Sequence, residues 1–178
     1  GGDVLVFVPG AREIERVAAS VRRDFPTEEL SGRLSVAAQK RIVRGHVPGS
    51  TRVIVATNIA ESAITVPGVR SVVDAGLDRQ ARFDSVRGMS GLVTVGASKA
   101  AMVQRAGRAH REAPGRAIRC MSQADFASRP AHTPPEITTS DLTSTVLDLA
   151  VWGTPLGVGL DMPTELPPRA TERAVQAL

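Results

Sequence analysis

Apolar and polar positions along the chain follow two alternating periods. Short runs rich in valine and isoleucine are separated by stretches in which apolar residues recur every three or four positions. That alternation is expected when parallel strands are covered by helices on both faces, an α/β fold with a mainly parallel sheet. "DVLVFV" (3–8) reads as a strand buried on both sides, and "AREIERVAASVRRDF" (11–25) as the helix after it, with Ile14, Val17, Ala18 and Val21 as its apolar stripe. "VAAQKRIVRGH" (36–46) predicts a second helix N-capped by Ser35, and "RVIVAT" (52–57) and "VRSVVDAG" (69–76) predict two further strands.

The period then changes. "RQARFDSVRGMSGLVTV" (79–95) reads as two antiparallel strands around a turn at Ser85 to Gly88, an excursion that a simple doubly wound sheet does not need. "SKAAMVQRAGRAH" (98–110) is helical with Ser98 as candidate cap, and "GRAIRCM" (115–121) returns to strand. Beyond residue 125 the composition shifts to a Pro- and Thr-rich connector, which divides the chain into 1–125 and 126–178. "LTSTVLDLAVWG" then predicts a helix ended by Gly153, followed by a Pro- and Gly-rich tail and a short Ala-rich helix.

With 178 residues, 42% hydrophobic and 22% charged, the chain has room for one full domain and part of another. It opens on what reads as a strand already under way and closes at "ERAVQAL" without a closing element, so a segment of a longer protein is expected. Lys and Arg outnumber Asp and Glu by 22 to 18, and a pI near 10.5 admits a polyanion partner without demonstrating one. Aromatics make up only 3%, with no Tyr, so base-stacking platforms are nearly absent and any nucleic-acid contact should run through phosphate and sugar. The one cysteine, Cys120, excludes an internal disulfide and a cysteine-based zinc cluster; it reads as a small buried hydrophobe, and a reducing, cytoplasmic location is expected. No apolar run reaches membrane-spanning length, and no membrane partner is expected.

The densest candidate chemistry is "QRAGRAHR" (104–111). On a helix, Gln104, Arg108 and Arg111 stand at i, i+4 and i+7, so all three project from one stripe. The nearest acid, Glu112, lies off that stripe, and Gly107 with its flanking alanines leaves the backbone accessible to a bulky anion. Forked guanidiniums bind phosphate bidentately and stabilise charge on a transferring phosphoryl group. From spacing alone, a solvated basic face and a phosphate site stay equally open.

"ATNIAESAITVPGV" (56–69) follows a buried strand, where loops at the carboxyl ends of parallel strands meet ligands. Thr57 and Asn58 offer hydroxyl, amide and backbone N–H groups to a phosphate, and Glu61 is placed to hold the loop by accepting backbone hydrogen bonds. A P-loop is missing: the nearest approach, "GLVTVGASK" (91–99), has its lysine displaced. An acidic cluster for magnesium is missing too. The segment is therefore not expected to hydrolyse a nucleotide unaided, although it can supply arginines to a phosphate held by another domain.

Five stretches, "LVFVPGAREIE", "VIVATNIAESAITVPGVRSVVDAGL", "RFDSVRGMSGLVTV", "SKAAMVQRAGRAHR" and "PEITTSDLTSTVLDLAVWG", resemble in this order the second RecA-like domain of DEAH-box RNA helicases and the start of the winged-helix region after it. The compact form resembles the bacterial HrpA/HrpB-type members, the HrpB type more closely. The resemblance implies a three-layer RecA-like domain with a protruding β-hairpin over 1–125, then a linker and a partial helical winged-helix segment over 126–178. It implies superfamily 2 RNA helicase activity in which ATP and magnesium sit between this domain and a first RecA-like domain of the same parent chain, with single-stranded RNA across both. Arg108 and Arg111 would be arginine fingers, Gln104 would orient the attacking water, and Glu61, Ser62 and Gly107 would line the nucleotide site. Thr57 and Asn58 would grip RNA phosphates beside Gly10 and Arg12. Phe83 and Arg87 would belong to the strand-separating hairpin, with Phe83 as core or as wedge.

The chain also departs from that family pattern. His110 stands where the motif usually has glycine, at a cost of about 1 kcal/mol if the position needs positive φ. Ser62 and Ala63 replace Thr-Ser, Val43 stands where several relatives place an aromatic over the adenine, and Pro67 replaces an acid near the ribose. These departures imply loose base selectivity. A catalytically silent RNA-binding or scaffold module is the alternative, whereas a dinucleotide binder would need Gly-x-Gly-x-x-Gly after the first strand, which "VFVPGARE" lacks.

Overall fold

The computed structural model describes residues 2–84 and 86–178. Five strands form one parallel sheet: β1 (Asp3–Phe7), β2 (Thr27–Leu30), β3 (Val53–Ala56), β4 (Val69–Asp74) and β7 (Arg116–Arg119), in the order β2-β3-β1-β4-β7. The uniform apolar runs have the cause that sequence implies. In β1, Leu5 and Phe7 enter one core cluster with Leu30, Ile42 and Ile54, while Val4 and Val6, with Val8 just after the strand, enter another with Ile14 and Ala18. Successive side chains of a strand point to opposite faces, so both faces of β1 must be covered.

Helix α1 (Ala11–Val21) covers one face, burying Ile14 and Ala18 with Val17 and Val21 beside them. It stops four residues short of the expected 25: the Phe25 N–H turns back to the Val21 carbonyl, and Pro26 forces its predecessor out of helical geometry. Helix α2 (Val36–Arg44) covers the other face through Ile42. Ser35 caps it, accepting from the Ala38 N–H at 3.2 Å, and Gly45 closes it two residues before the expected end. β2 was not legible as a strand: "TEEL" has no alternation, and it is the sheet's edge.

β5 (Leu77–Asp84) and β6 (Met89–Gly96) form a separate two-stranded sheet, the expected hairpin. Of its turn, Ser85 lies outside the described residues; Asp84 Oδ1 accepts the N–H groups of Val86 and Arg87 at 2.9 and 3.1 Å. Gly88, at φ +61°, supplies the left-handed backbone that a tight reversal needs.

Helix α3 (Lys99–Gly107) begins at Ser98, whose Oγ accepts the Ala101 N–H at 3.2 Å and meets Thr133 Oγ1 at 3.1 Å. Ser98→Ala is expected to cost about 1 kcal/mol, read as a lowered midpoint in urea unfolding of the chain. A short helix, α4 (Gln123–Ser128), follows β7. Cys120, expected inside, is exposed: it directly follows β7, an edge strand whose first three residues are all exposed.

The chain forms two compact units, Gly1–Arg79 with Thr94–Thr133, and Gln80–Val93 with Pro134–Leu178. After the sheet domain the chain passes from the first unit to the second between Thr133 and Pro134. In the second unit, α5 (Thr143–Val151) and α6 (Pro168–Ala177) bury Leu142, Val146 and Ala174. Gly153, at φ +91°, ends α5 where the sequence places its stop. No described helix is long and apolar enough to cross a membrane.

Candidate functional site

β1, β3 and β4 run parallel, so the loops after them leave the same edge of the sheet, and the sequence candidates of the first unit cluster on those loops and on α3. Gly10 is the extended residue before α1. A Cβ there would stand 2.9 Å from Glu13 Oε2 and 3.1 Å from Arg79 Nη1, so a side chain would have to displace the flexible ends of both. Arg12 is exposed on the first turn of α1. After β3, half-buried Thr57 donates its N–H to the Leu30 carbonyl at 3.2 Å, and exposed Asn58 starts a 3-10 turn whose Ala60 is anchored in the core. Ser62 and Ala63 follow, both exposed.

The three arginines of 104–111 have different fates. The regular helix ends at Gly107 and tightens into a 3-10 turn, Arg108–His110, pinned by fully buried Ala109. The expected single α-helical stripe of Gln104, Arg108 and Arg111 is therefore broken: a 3-10 turn advances each residue further around the axis than an α-helix does. Gln104 is exposed on α3, Arg108 is buried and Arg111 is exposed. Arg108 Nη2 donates to the Glu61 carbonyl, and Arg108 Nη1 is buried without a partner. Arg111 Nη1 donates to Thr65 Oγ1 at 2.6 Å.

Among the described residues neither Arg108 nor Arg111 forms an ion pair with a carboxylate. Burial, and next the neighbouring Arg111 charge, push the Arg108 pKa down against the pull of Glu61. Two guanidiniums are thus held close without a counterion in contact. Glu112 is occupied elsewhere, accepting the Gly68 N–H at 3.1 Å.

Arg105 is the opposite case, and sequence reasoning passed over it. Its Nε donates to Glu61 Oε2 at 2.9 Å and its Nη1 to Asp74 Oδ1 at 3.2 Å. Burial alone would lower its pKa; Asp74 and Glu61 outweigh that and raise it, keeping the cation charged. The expectation that Glu61 holds its loop by accepting backbone hydrogen bonds is corrected here: its carboxylate accepts a guanidinium, and its carbonyl faces Arg108. A signal for Arg105 was available, since it stands three and four residues after buried Met102 and Ala101 and four before Ala109.

His110 has no positive φ, so the conditional strain at that position does not arise; its Nδ1 faces the Gly115 N–H at 3.4 Å. Gly107 is exposed with open space where a Cβ would go. Val43 lines a shallow groove with Val36, Lys40, Ala63 and Thr65, the last of which holds Arg111. Pro67 is half-buried after that loop.

In the second unit, Phe83 is packed: its N–H donates to the Thr139 carbonyl at 2.9 Å, its ring lies 5.5 Å from the Arg173 guanidinium, and it lines a cavity with Leu142 and Ala174. Arg87 is exposed and sits 3.7 Å from Asp84 Oδ2.

A parallel sheet with helices on both faces and a hairpin excursion define an α/β domain of the RecA-like type. The chain belongs to the helicase conserved C-terminal domain family, whose model matches residues 1–113, in the form found in DEAH-box RNA helicases. It is 38% identical over 156 residues to the ATP-dependent RNA helicase HrpB of Escherichia coli (strain K12), covering 85% of this chain and 19% of that protein. It is 37% identical over 156 residues to the HrpA helicase of the same organism, covering 85% of this chain and 12% of the relative. The crystal structure of the E. coli DExH-box NTPase HrpB superposes with a TM-score of 0.87 at 34% identity, covering 99% of this chain and 23% of that one. The chain thus spans a quarter or less of the lengths of these relatives.

Proposed function

We propose that this chain is the second motor domain of an ATP-dependent RNA helicase, supplying Arg108 and Arg111 to a triphosphate bound by a first RecA-like domain and gripping single-stranded RNA through Thr57 and Asn58. The reading is carried by one observation: two adjacent guanidiniums without an ion pair among the described residues, beside a third that is saturated by carboxylates. A polyphosphate fits that donor set, because it supplies the negative charge the fold withholds from Arg108 and Arg111. When bound, ATP supplies a phosphoryl group whose transfer to water drives the cycle, and magnesium is assigned to the other domain because, among the described residues, no group of three His, Cys, Asp or Glu side chains is placed to hold a metal ion.

The residues of this chain divide the work. Arg108 and Arg111 neutralise charge spread over the transferring group, and exposed Gln104 is assigned to orienting water. Backbone groups of the 57–65 loop, with Gly10 and Arg12 on the same edge, contact RNA phosphate and sugar, which suits a chain with few aromatics. The hairpin, with Arg87 exposed and Phe83 packed beside its turn, is assigned to strand separation. A domain closing on ATP would move both sets together, coupling hydrolysis to the RNA grip. A cytoplasmic setting belongs to the same proposal.

The test is RNA-stimulated ATP hydrolysis by the full-length protein and by its Arg108→Ala, Arg111→Ala double variant. Loss of stimulated turnover with retained RNA binding is expected; equal rates would exclude a finger role, and a parent protein without stimulated turnover would instead be a silent RNA-binding module.

A further inference from the structure

The proposed reaction leaves Arg105 unused, although it is the most heavily partnered side chain of the domain. Its side chain is 2% exposed, and its donors are distributed over three segments. Nε bonds Glu61 Oε2 at 2.9 Å; Nη1 bonds Asp74 Oδ1 at 3.2 Å and the Leu77 carbonyl at 2.9 Å; Nη2 stands 3.7 Å from Asp78 Oδ1. The guanidinium also lies 5.4 Å from the centre of the Phe7 ring at the end of β1. These partners belong to the loop after β3, the end of β4 and the start of β5.

Glu61 connects this cluster to the site. Its carboxylate is held by Arg105, and its own carbonyl receives Nη2 of Arg108. Arg105 and Arg108 sit three residues apart on the same helix and its terminal turn, so together they grip one loop residue at two points. The Glu61 N–H is also fixed, donating to the Asn58 carbonyl at 2.9 Å. With its N–H, carboxylate and carbonyl all engaged, Glu61 is a rigid stop against which the Arg108 fork is set. A lysine in place of Arg105 keeps the charge but lacks the fork, so it cannot hold Glu61, Asp74 and the Leu77 carbonyl together.

We propose that Arg105 is a positioning residue for hydrolysis: by clamping Glu61 it sets the Arg108 guanidinium, and through Leu77 and Asp78 it ties that setting to the root of the hairpin. This rests on the finger role assigned to Arg108 above. Arg105 itself is assigned no phosphate contact: its side chain is 2% exposed and its Nε and Nη1 are engaged within the fold.

The experiment measures kcat and KM for ATP at saturating single-stranded RNA in the full-length protein carrying Arg105→Lys, alone and combined with Arg108→Ala, well below the melting temperature of each variant. Misplacing a catalytic group by a fraction of an ångström is expected to lower kcat about 10-fold while KM for ATP changes less than about 2-fold. In the Arg108→Ala background, read by single-turnover hydrolysis, Arg105→Lys is expected to have no further effect, because nothing remains to be positioned. An unchanged kcat, or a fall that multiplies with that of Arg108→Ala, overturns the proposal while leaving the finger reading intact. If Arg108→Ala itself leaves hydrolysis unchanged, the finger reading fails and this inference falls with it. Should Arg105→Lys not fold, Glu61→Gln, which keeps an oxygen acceptor for Nε but removes the charge, enters the same cycle with the same outcomes.

Discussion

Arg108→Ala in the full-length protein is expected to lower kcat for RNA-stimulated ATP hydrolysis by about 10³-fold, the lower end of the range for arginine fingers. That fall corresponds to about 4 kcal/mol of transition-state stabilisation. The lower end applies because Arg111, anchored on Thr65, remains to carry part of the charge. KM for ATP should change far less than kcat, since the contact strengthens as charge spreads over the transferring group. Arg108→Lys should recover little: a lysine offers a point charge where one nitrogen of the fork is engaged with the Glu61 carbonyl and the other is buried without a partner. Truncation also leaves that half-buried carbonyl without its donor, at a cost of about 1 kcal/mol, so the melting temperature is followed in parallel. A variant that is folded, binds RNA and hydrolyses ATP at the parental rate would remove the basis of the motor reading.

What the sequence made legible was whatever depends on near neighbours. Runs such as "DVLVFV" and "RVIVAT" announce strands covered on both sides, and the structure sends alternate residues of β1 into separate clusters. Ser35 and Ser98 announce helix starts because capping is a three-residue interaction, and Gly153 announces an end for a similar reason. Distant pairing was not legible. Arg105 lies 31 residues from Asp74 and 44 from Glu61, so its position on a buried stripe could be counted but its counterions could not be named.

The limit of the first compact unit rests on contacts of the same distant kind. The first N–H groups of α3 need acceptors, and the Pro130 and Ala131 carbonyls accept from Lys99 and Ala100 at 2.9 and 3.0 Å. This fastens the connector to the first unit up to Thr133, and no local composition reveals it. The contrast among the three arginines arises likewise from tertiary placement, since "QRAGRAHR" reads as one basic run until Glu61 and Asp74 arrive at Arg105 alone.

Asp3→Ala is expected to give the largest loss of stability, about 3–5 kcal/mol, because it strands a buried cation. Asp3 is fully buried and accepts Arg52 Nε at 2.8 Å, the Arg52 N–H at 3.3 Å and, facing it, His46 Nδ1 at 3.2 Å. Arg52 is 7% exposed; its Nη1 donates to the Ile42 carbonyl at 2.7 Å, and its Nη2 has no partner. Removing the carboxylate therefore leaves a buried guanidinium with one carbonyl as acceptor and His46 beside it. The exposed pair Arg22–Glu29 is just as short, at 2.7 Å, yet its side chains are 55% and 37% exposed, so breaking it should cost less than about 1 kcal/mol. Burial, not distance, decides the difference. Pairing Asp3→Ala with Arg52→Met should return much of the loss, since the second change removes the uncompensated charge and the methionine can fill its space. Urea unfolding of the four proteins measures both terms, and a single-variant loss below about 1 kcal/mol would show that water reaches Arg52 once the carboxylate is gone.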